Sequence, residues 1–114
     1  ASELNQILKE EDVPVVLAMR YGNPSIAKGL KELRSHQCDR LLILPLFPQY
    51  ASSTTGSALE AVYRAASRDW NISMLEVIPS FYDHPDFIKA FAVQGEQYMK
   101  SFPDHILFSF HGLP

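Results

Sequence analysis

Cysteine is nearly absent from this sequence, and Cys38 stands alone. A single thiol excludes a disulfide framework and a zinc site built on cysteines, and it fits a reducing compartment. Long apolar runs are also missing. No stretch approaches the roughly 18 apolar residues that span a bilayer, and no signal peptide is legible. Basic clusters are missing too: 10 Lys and Arg face 13 Asp and Glu, a net charge of −3. That balance argues against nucleic acid as the main partner. There is no low-complexity segment, no strong internal repeat and no obvious linker. What is present is ordinary for a globular chain: 46% hydrophobic and 20% charged residues over a length of 114. One domain, or a piece of a larger one, is the expectation. The chain starts at Ala1 rather than Met and stops at Pro114, so it reads as an excised piece whose native neighbours are missing.

The apolar pattern alternates between helix and strand. Ser2 to Glu11 places Leu4, Ile7 and Leu8 on one helical face. Val13 to Met19 is nearly continuous in apolar residues, as expected of a strand buried on both faces. Asn23 then offers an N-cap with Pro24 at the first helical position, and a helix follows to about Ser35. Arg40 to Leu46 is the second strand, weakened where Pro45 cannot donate to a ladder. After a long exit loop, Ser57 and Glu60 fit a capping box for a helix that ends near Trp70. Ser73 to Ile78 is the third strand. Asp83 can cap the next helix with Pro85 just inside it. That helix carries Phe87, Ile88, Phe91, Ala92, Gly95, Tyr98, Met99 and Phe102 at spacings of three and four, the clearest amphipathic stretch in the chain. A fourth strand begins at about His105. Strands joined by helical crossovers predict an α/β fold with a parallel sheet flanked by helices.

In such a sheet the carboxyl ends of the strands gather on one side, where ligands bind. The exits carry Arg20 and Tyr21; Phe47, Gln49 and Tyr50; Phe81 and Tyr82; Phe110 and His111. An aromatic rim with a few polar groups suits a flat, apolar ligand, and it equally serves to cap a core where the sheet ends. His111 directly follows the apolar run Ile106 to Phe110 and precedes Gly112. A neutral imidazole there can accept a proton or donate a lone pair to a metal, and a structural role is the competing reading. His36, His84 and His105 do not complete a metal cage around it, and a lone histidine cannot hold a structural zinc. Ser52 to Ser57 gathers hydroxyls at a helix start, which suits an anion or plain capping. It is not a P-loop, since no Gly-Lys-Ser/Thr follows. Ser109 and His111 lack the elbow motif of a hydrolase, and Cys38 reads as packing.

Three blocks carry a resemblance to a known family. Ile106 to Pro114 (ILFSFHGLP) resembles the ferrochelatase signature, with its apolar pair, Ser or Thr, His, small residue, apolar residue and Pro. Leu44 to Ser57 (LPLFPQYASSTTGS) resembles the loop-and-helix segment of the same family, and Val16 to Pro24 (VLAMRYGNP) is similar to a third block. The blocks fall in the family's order and cover the chain from about Asp12 onward.

The resemblance implies an enzyme that inserts ferrous iron into protoporphyrin IX to form protohaem, the last step of haem synthesis. It implies two chelatase-like lobes of flavodoxin-like, Rossmann-type build, with porphyrin in the cleft between them. Residues 1–81 would be most of the first lobe without its N-terminal strand. Residues 82–104 would be the connecting long helix, and 105–114 the first strand of the second lobe. The four strands then need not share one sheet. His111 matches the family's catalytic and iron-associated histidine, and its glutamate partner falls outside this sequence. Porphyrin contacts are expected from Arg20, Tyr21, Phe47, Gln49, Tyr50, Ser52, Ser53 and Phe110. No tightly bound cofactor is expected, since Fe2+, or another divalent metal in its place, is a substrate. The expected partners are porphyrin and ferrous iron and no nucleic acid. The expected location is cytoplasmic, with peripheral membrane association compatible. This piece alone is expected to be inactive. The competing readings are a cobalt or sirohydrochlorin-type chelatase and a non-catalytic flavodoxin-like binding module, separable by metal preference and by porphyrin and nucleotide titration.

Overall fold

The structure is a computed structural model that describes residues 2–69, 74–109 and 112. It is α/β, as the alternating pattern predicts. The elements in order are α1 (Ser2–Ile7), a 3-10 turn (Lys9–Glu11), α2 (Ile26–Ser35), β1 (Arg40–Ile43), a π-helical turn (Ser52–Gly56), α3 (Ser57–Asp69), β2 (Met74–Val77) and α4 (Pro85–Met99).

Among the described residues the sheet is parallel and two-stranded, with Leu41 opposite Leu75 and Ile43 opposite Val77. The amide of Ile78 extends the ladder by donating to Ile43 O at 2.9 Å. β1 stops before Pro45, whose missing N–H would break the ladder. The core is small. Its buried apolar residues are Leu41 on β1 and, one helical turn apart on α3, Val62 and Ala66. α2 packs on α3. Its Gly29 is buried, because an added Cβ would sit 3.2 Å from Ala18 Cβ and 3.3 Å from Val16 Cγ1.

Val13 to Met19 packs against that glycine but does not join the sheet. Among the described residues its one bridge is Met19 with Ser25, closed by Met19 N donating to Pro24 O at 2.8 Å. The side-chain amide of Asn5 stands where a strand neighbour would. Its Nδ2 donates to Val15 O at 2.8 Å and its Oδ1 accepts from Val15 N at 3.0 Å. The expected fourth strand is also absent over its described part: His105 to Ser109 forms no ladder, and Ile106, Leu107 and Phe108 are exposed. A strand needs a neighbour to satisfy its backbone, and apolar β-formers alone do not supply one.

The helix ends depart from expectation in a consistent way. Ser25, not Asn23, caps α2 by accepting from Lys28 N at 3.3 Å. α4 begins at Pro85 as expected, but His84 caps it rather than Asp83: its Nδ1 accepts from Asp86 N at 3.3 Å. The Ser57–Glu60 capping box does not form. The π-turn continues directly into α3, so Ser57 is already helical, and Glu60 pairs with Arg64 one turn on. Gln37 in the left-handed region closes α2 at its carboxyl end.

α4 buries none of its residues; Ile88, Phe91, Tyr98 and Met99 are exposed. The radius of gyration is 17.6 Å, against about 13 Å for a compact domain of this length. No helix among the described residues is long and apolar enough to cross a membrane.

Candidate functional site

Two chain segments meet where α3 begins, and a third joins one of them. The first is the loop after Val13 to Met19. Gly22 takes φ +100°, a backbone that side chains resist, and this turns the loop back toward Pro24. Just before the turn, Arg20 Nε donates to Ser57 Oγ at 2.9 Å and to Ser57 O at 3.1 Å. The guanidinium carbon lies 4.6 Å from the centre of the Tyr21 ring, a cation–π contact. The Tyr21 hydroxyl lies 3.5 Å from the same Ser57 Oγ. One hydroxyl therefore receives the arginine and adjoins the phenol.

The second segment is the exit of β1. There the Tyr50 hydroxyl rests on Gly56, 3.0 Å from where a Cβ would stand. Gly56 and Ser57 are consecutive, so both loops end on the same two residues. The third segment is the exit of β2, joined to the second through Phe81 N donating to Pro48 O at 3.0 Å. Phe81 then turns inward, its ring 5.5 Å edge-to-face from Phe87 on α4. Of the two aromatics expected at that exit, Phe81 packs and Tyr82 stays exposed.

Tyr21 and Tyr50 are exposed beside the junction, and Phe47, Gln49, Ser52 and Ser53 line the exposed exit of β1. The turn at Ser52–Gly56 satisfies much of its own backbone: Thr54 N and Gly56 N both donate to Ala51 O, and Ser57 N donates to Ser52 O. With these amides bonded and Ser57 Oγ holding Arg20, the turn caps the helix start itself. Thr55 Oγ1 is buried there with no hydrogen-bond partner among the described residues. Phe110 and His111, the centre of the sequence reading, lie outside the described residues. Among the described residues no group of three or more His, Cys, Asp or Glu could hold a metal ion.

Sequence reading missed the tie between Arg20 and Ser57. The two lie 37 positions apart, and no local spacing announces it. It also missed Gly56 as the seat of Tyr50, although a glycine just ahead of a helix start marks close approach.

The ferrochelatase family profile matches residues 1–114. The chain belongs to the ferrochelatase family. A ferrochelatase of Photobacterium profundum is 40% identical over 108 residues, 93% of this chain and 34% of that protein. One of Coxiella burnetii is 46% identical over 105 residues, 91% of this chain and 28% of that protein. One of Aeromonas hydrophila is 37% identical over 115 residues, 97% of this chain and 36% of that protein. The chain spans about a third of the length of the curated relatives it matches. No solved structure matches it. These names do not favour the cobalt-chelatase or carrier alternatives.

The junction has a plain relation to the ferrochelatase blocks. Val16 to Pro24 supplies Arg20 and Tyr21, and Leu44 to Ser57 supplies Tyr50, Gly56 and Ser57. Two segments that resemble the family separately in sequence are bonded to each other in space.

Proposed function

We propose that the protein to which this chain belongs is a ferrochelatase that inserts ferrous iron into protoporphyrin IX, the last step of haem synthesis. The observation that carries the reading is the junction of the two ferrochelatase blocks at Gly56–Ser57, in a chain the family profile matches throughout. Tyr21, Phe47, Tyr50 and Phe110 form part of the wall for the macrocycle. Arg20, Gln49, Ser52 and Ser53 supply its polar contacts. Apolar rings with a few oriented polar groups suit a flat ligand with charged edge substituents.

Insertion requires the two pyrrole N–H protons to leave as the metal enters. A base must come within about 3 Å of them. His111 has that role in this reading. A neutral imidazole has the lone pair that accepts such a proton. The alternative use of that lone pair, in place of accepting a proton, is to ligate the incoming iron. Holding the macrocycle bent exposes its nitrogen lone pairs, and strain of about 1–5 kcal/mol can be supplied by remote contacts such as those of the aromatic wall. The acidic partner of His111 belongs to the length of the relatives that this chain does not span, so the chain by itself is inactive. The setting is cytoplasmic, compatible with peripheral attachment to a membrane.

The test is a metal-insertion assay that follows porphyrin fluorescence in the full-length protein. His111→Ala is expected to abolish insertion while circular dichroism stays unchanged. Activity within a few-fold of the parent would remove His111 from the mechanism. Absence of insertion by the parent, with porphyrin bound normally, would sink the enzyme assignment itself.

A further inference from the structure

A concave feature lies along the outer face of α3. It is a groove of about 210 Å³ lined by Arg20, Glu60, Ala61, Arg64, Ala65 and Arg68. Ala61 and Ala65 are one helical turn apart, and each contributes only a methyl group, which leaves room over the helix. Arg64 and Arg68 have the same spacing and border that room from one element. Arg20 borders it from a different segment, carried there by its bonds to Ser57. Three arginines therefore line a small space, and one carboxylate, Glu60, offsets a single charge by pairing with Arg64. The lining carries a net charge of about +2 on a chain whose net charge is −3.

A solvated helix face explains Glu60, Arg64 and Arg68, but not a third arginine brought from 37 positions away and held by its Nε. Like charges repel, and an arrangement of this kind is favourable when an anion lies between them. Guanidiniums recognise oxyanions through paired N–H donors. Nε–H of Arg20 is committed to Ser57, and an arginine carries four further N–H donors. The size also discriminates: sites for drug-sized molecules run to about 300–1,000 Å³. A smaller space suits one compact anionic group rather than a macrocycle.

We propose that the groove bounded by Arg20, Arg64 and Arg68 is a binding site for a small dianionic oxyanion of the phosphate class. Glu60 competes with the ligand for Arg64 and so sets the affinity. The site shares Arg20 with the proposed porphyrin contacts, but Arg64 and Arg68, on which its test rests, belong to neither the aromatic rim nor His111.

The test is isothermal titration of the full-length protein with inorganic phosphate at low ionic strength. Acetate serves as the monoanionic comparison and is expected to bind more weakly. Saturable one-site binding is expected, at least about tenfold weaker in Arg64→Gln/Arg68→Gln, since each loss removes a charge-assisted contact. Glu60→Gln is expected to bind several-fold tighter, a change that a merely structural role for Glu60 would not produce. Arg40→Gln, on β1 and outside the groove, is the charge control and is expected to bind as the parent does. Thermal melting of each variant establishes that it is folded. The proposal is overturned by a lack of saturable binding, by unchanged affinity in the double variant, or by equal weakening in Arg40→Gln, which would mean diffuse surface charge.

Discussion

The bond between Arg20 and Ser57 can be measured as a coupling energy. One N–H of Arg20 is shared between Ser57 Oγ at 2.9 Å and Ser57 O at 3.1 Å. A hydrogen bond to a charged group contributes about 1.5–3 kcal/mol, and exposure places this one at the low end. Ser57→Ala removes the hydroxyl but leaves the carbonyl, so roughly half of that is lost, or about 0.7 kcal/mol. Alanine is also the better helix former, by about 0.5 kcal/mol at a helical position. The two terms nearly cancel, and Ser57→Ala alone should be almost neutral. Arg20→Ala removes both acceptor contacts and the cation–π contact with Tyr21, for a total of about 2 kcal/mol. The hydroxyl is worth something only while Arg20 is present. In the double variant its loss should no longer matter, and the helix gain of alanine should emerge. The coupling should therefore be about 0.7 kcal/mol, read by urea unfolding of the full-length protein and its three variants. Unrelated sites add to within about 0.3–0.5 kcal/mol. A coupling inside that margin would refute the claim that this bond ties the two loops together. Tyr21→Phe sharpens the test, because it deletes the phenol 3.5 Å from Ser57 Oγ and should leave the coupling nearly unchanged.

Two further outcomes follow from the packing. Leu41 is 5% exposed in the small core, so Leu41→Ala should cost about 2–4 kcal/mol in urea unfolding; a loss below about 1 kcal/mol would mean that Leu41 is not packed in a core. Gly29→Val sets branched carbons against Ala18 Cβ, already 3.2 Å from where a Cβ would stand. It should cost about 1–3 kcal/mol by overpacking and should lower metal insertion as well, because Arg20 lies two residues beyond Ala18; full activity in a destabilised Gly29→Val protein would uncouple that packing from the site.

The elements that were legible in the sequence are those whose stability is local. α2, α3 and α4 carry apolar residues at helical spacing, and all three form close to where that spacing predicts. β1 ends before Pro45 for a reason visible in one residue. Caps were less legible, because several neighbouring residues can each satisfy the same amides. Ser25 displaced Asn23, and His84 displaced Asp83, with the cap in each case going to the side chain that reaches an amide two or three residues on. The first expected strand was misjudged for another reason. Val13 to Met19 has the composition of a strand, but a strand is a relation between two segments, and among the described residues its one bridge is Met19 with Ser25.

The candidate site divides in the same way. Tyr50 could be assigned to a strand exit from the order of apolar runs alone, whereas Arg20 and Tyr21 follow a segment that does not join the sheet and owe their place to the contact with Ser57. Family membership was also legible, since it rests on short blocks of residues in a set order. Only the tertiary structure decided that Ser57 receives Arg20 instead of capping its own helix. Only the fold, likewise, brought a third arginine beside Arg64 and Arg68. The reason is physical: helical periodicity is written within four residues, whereas a bond across 37 positions exists only once α2 and α3 have packed and the loops before them have been brought together.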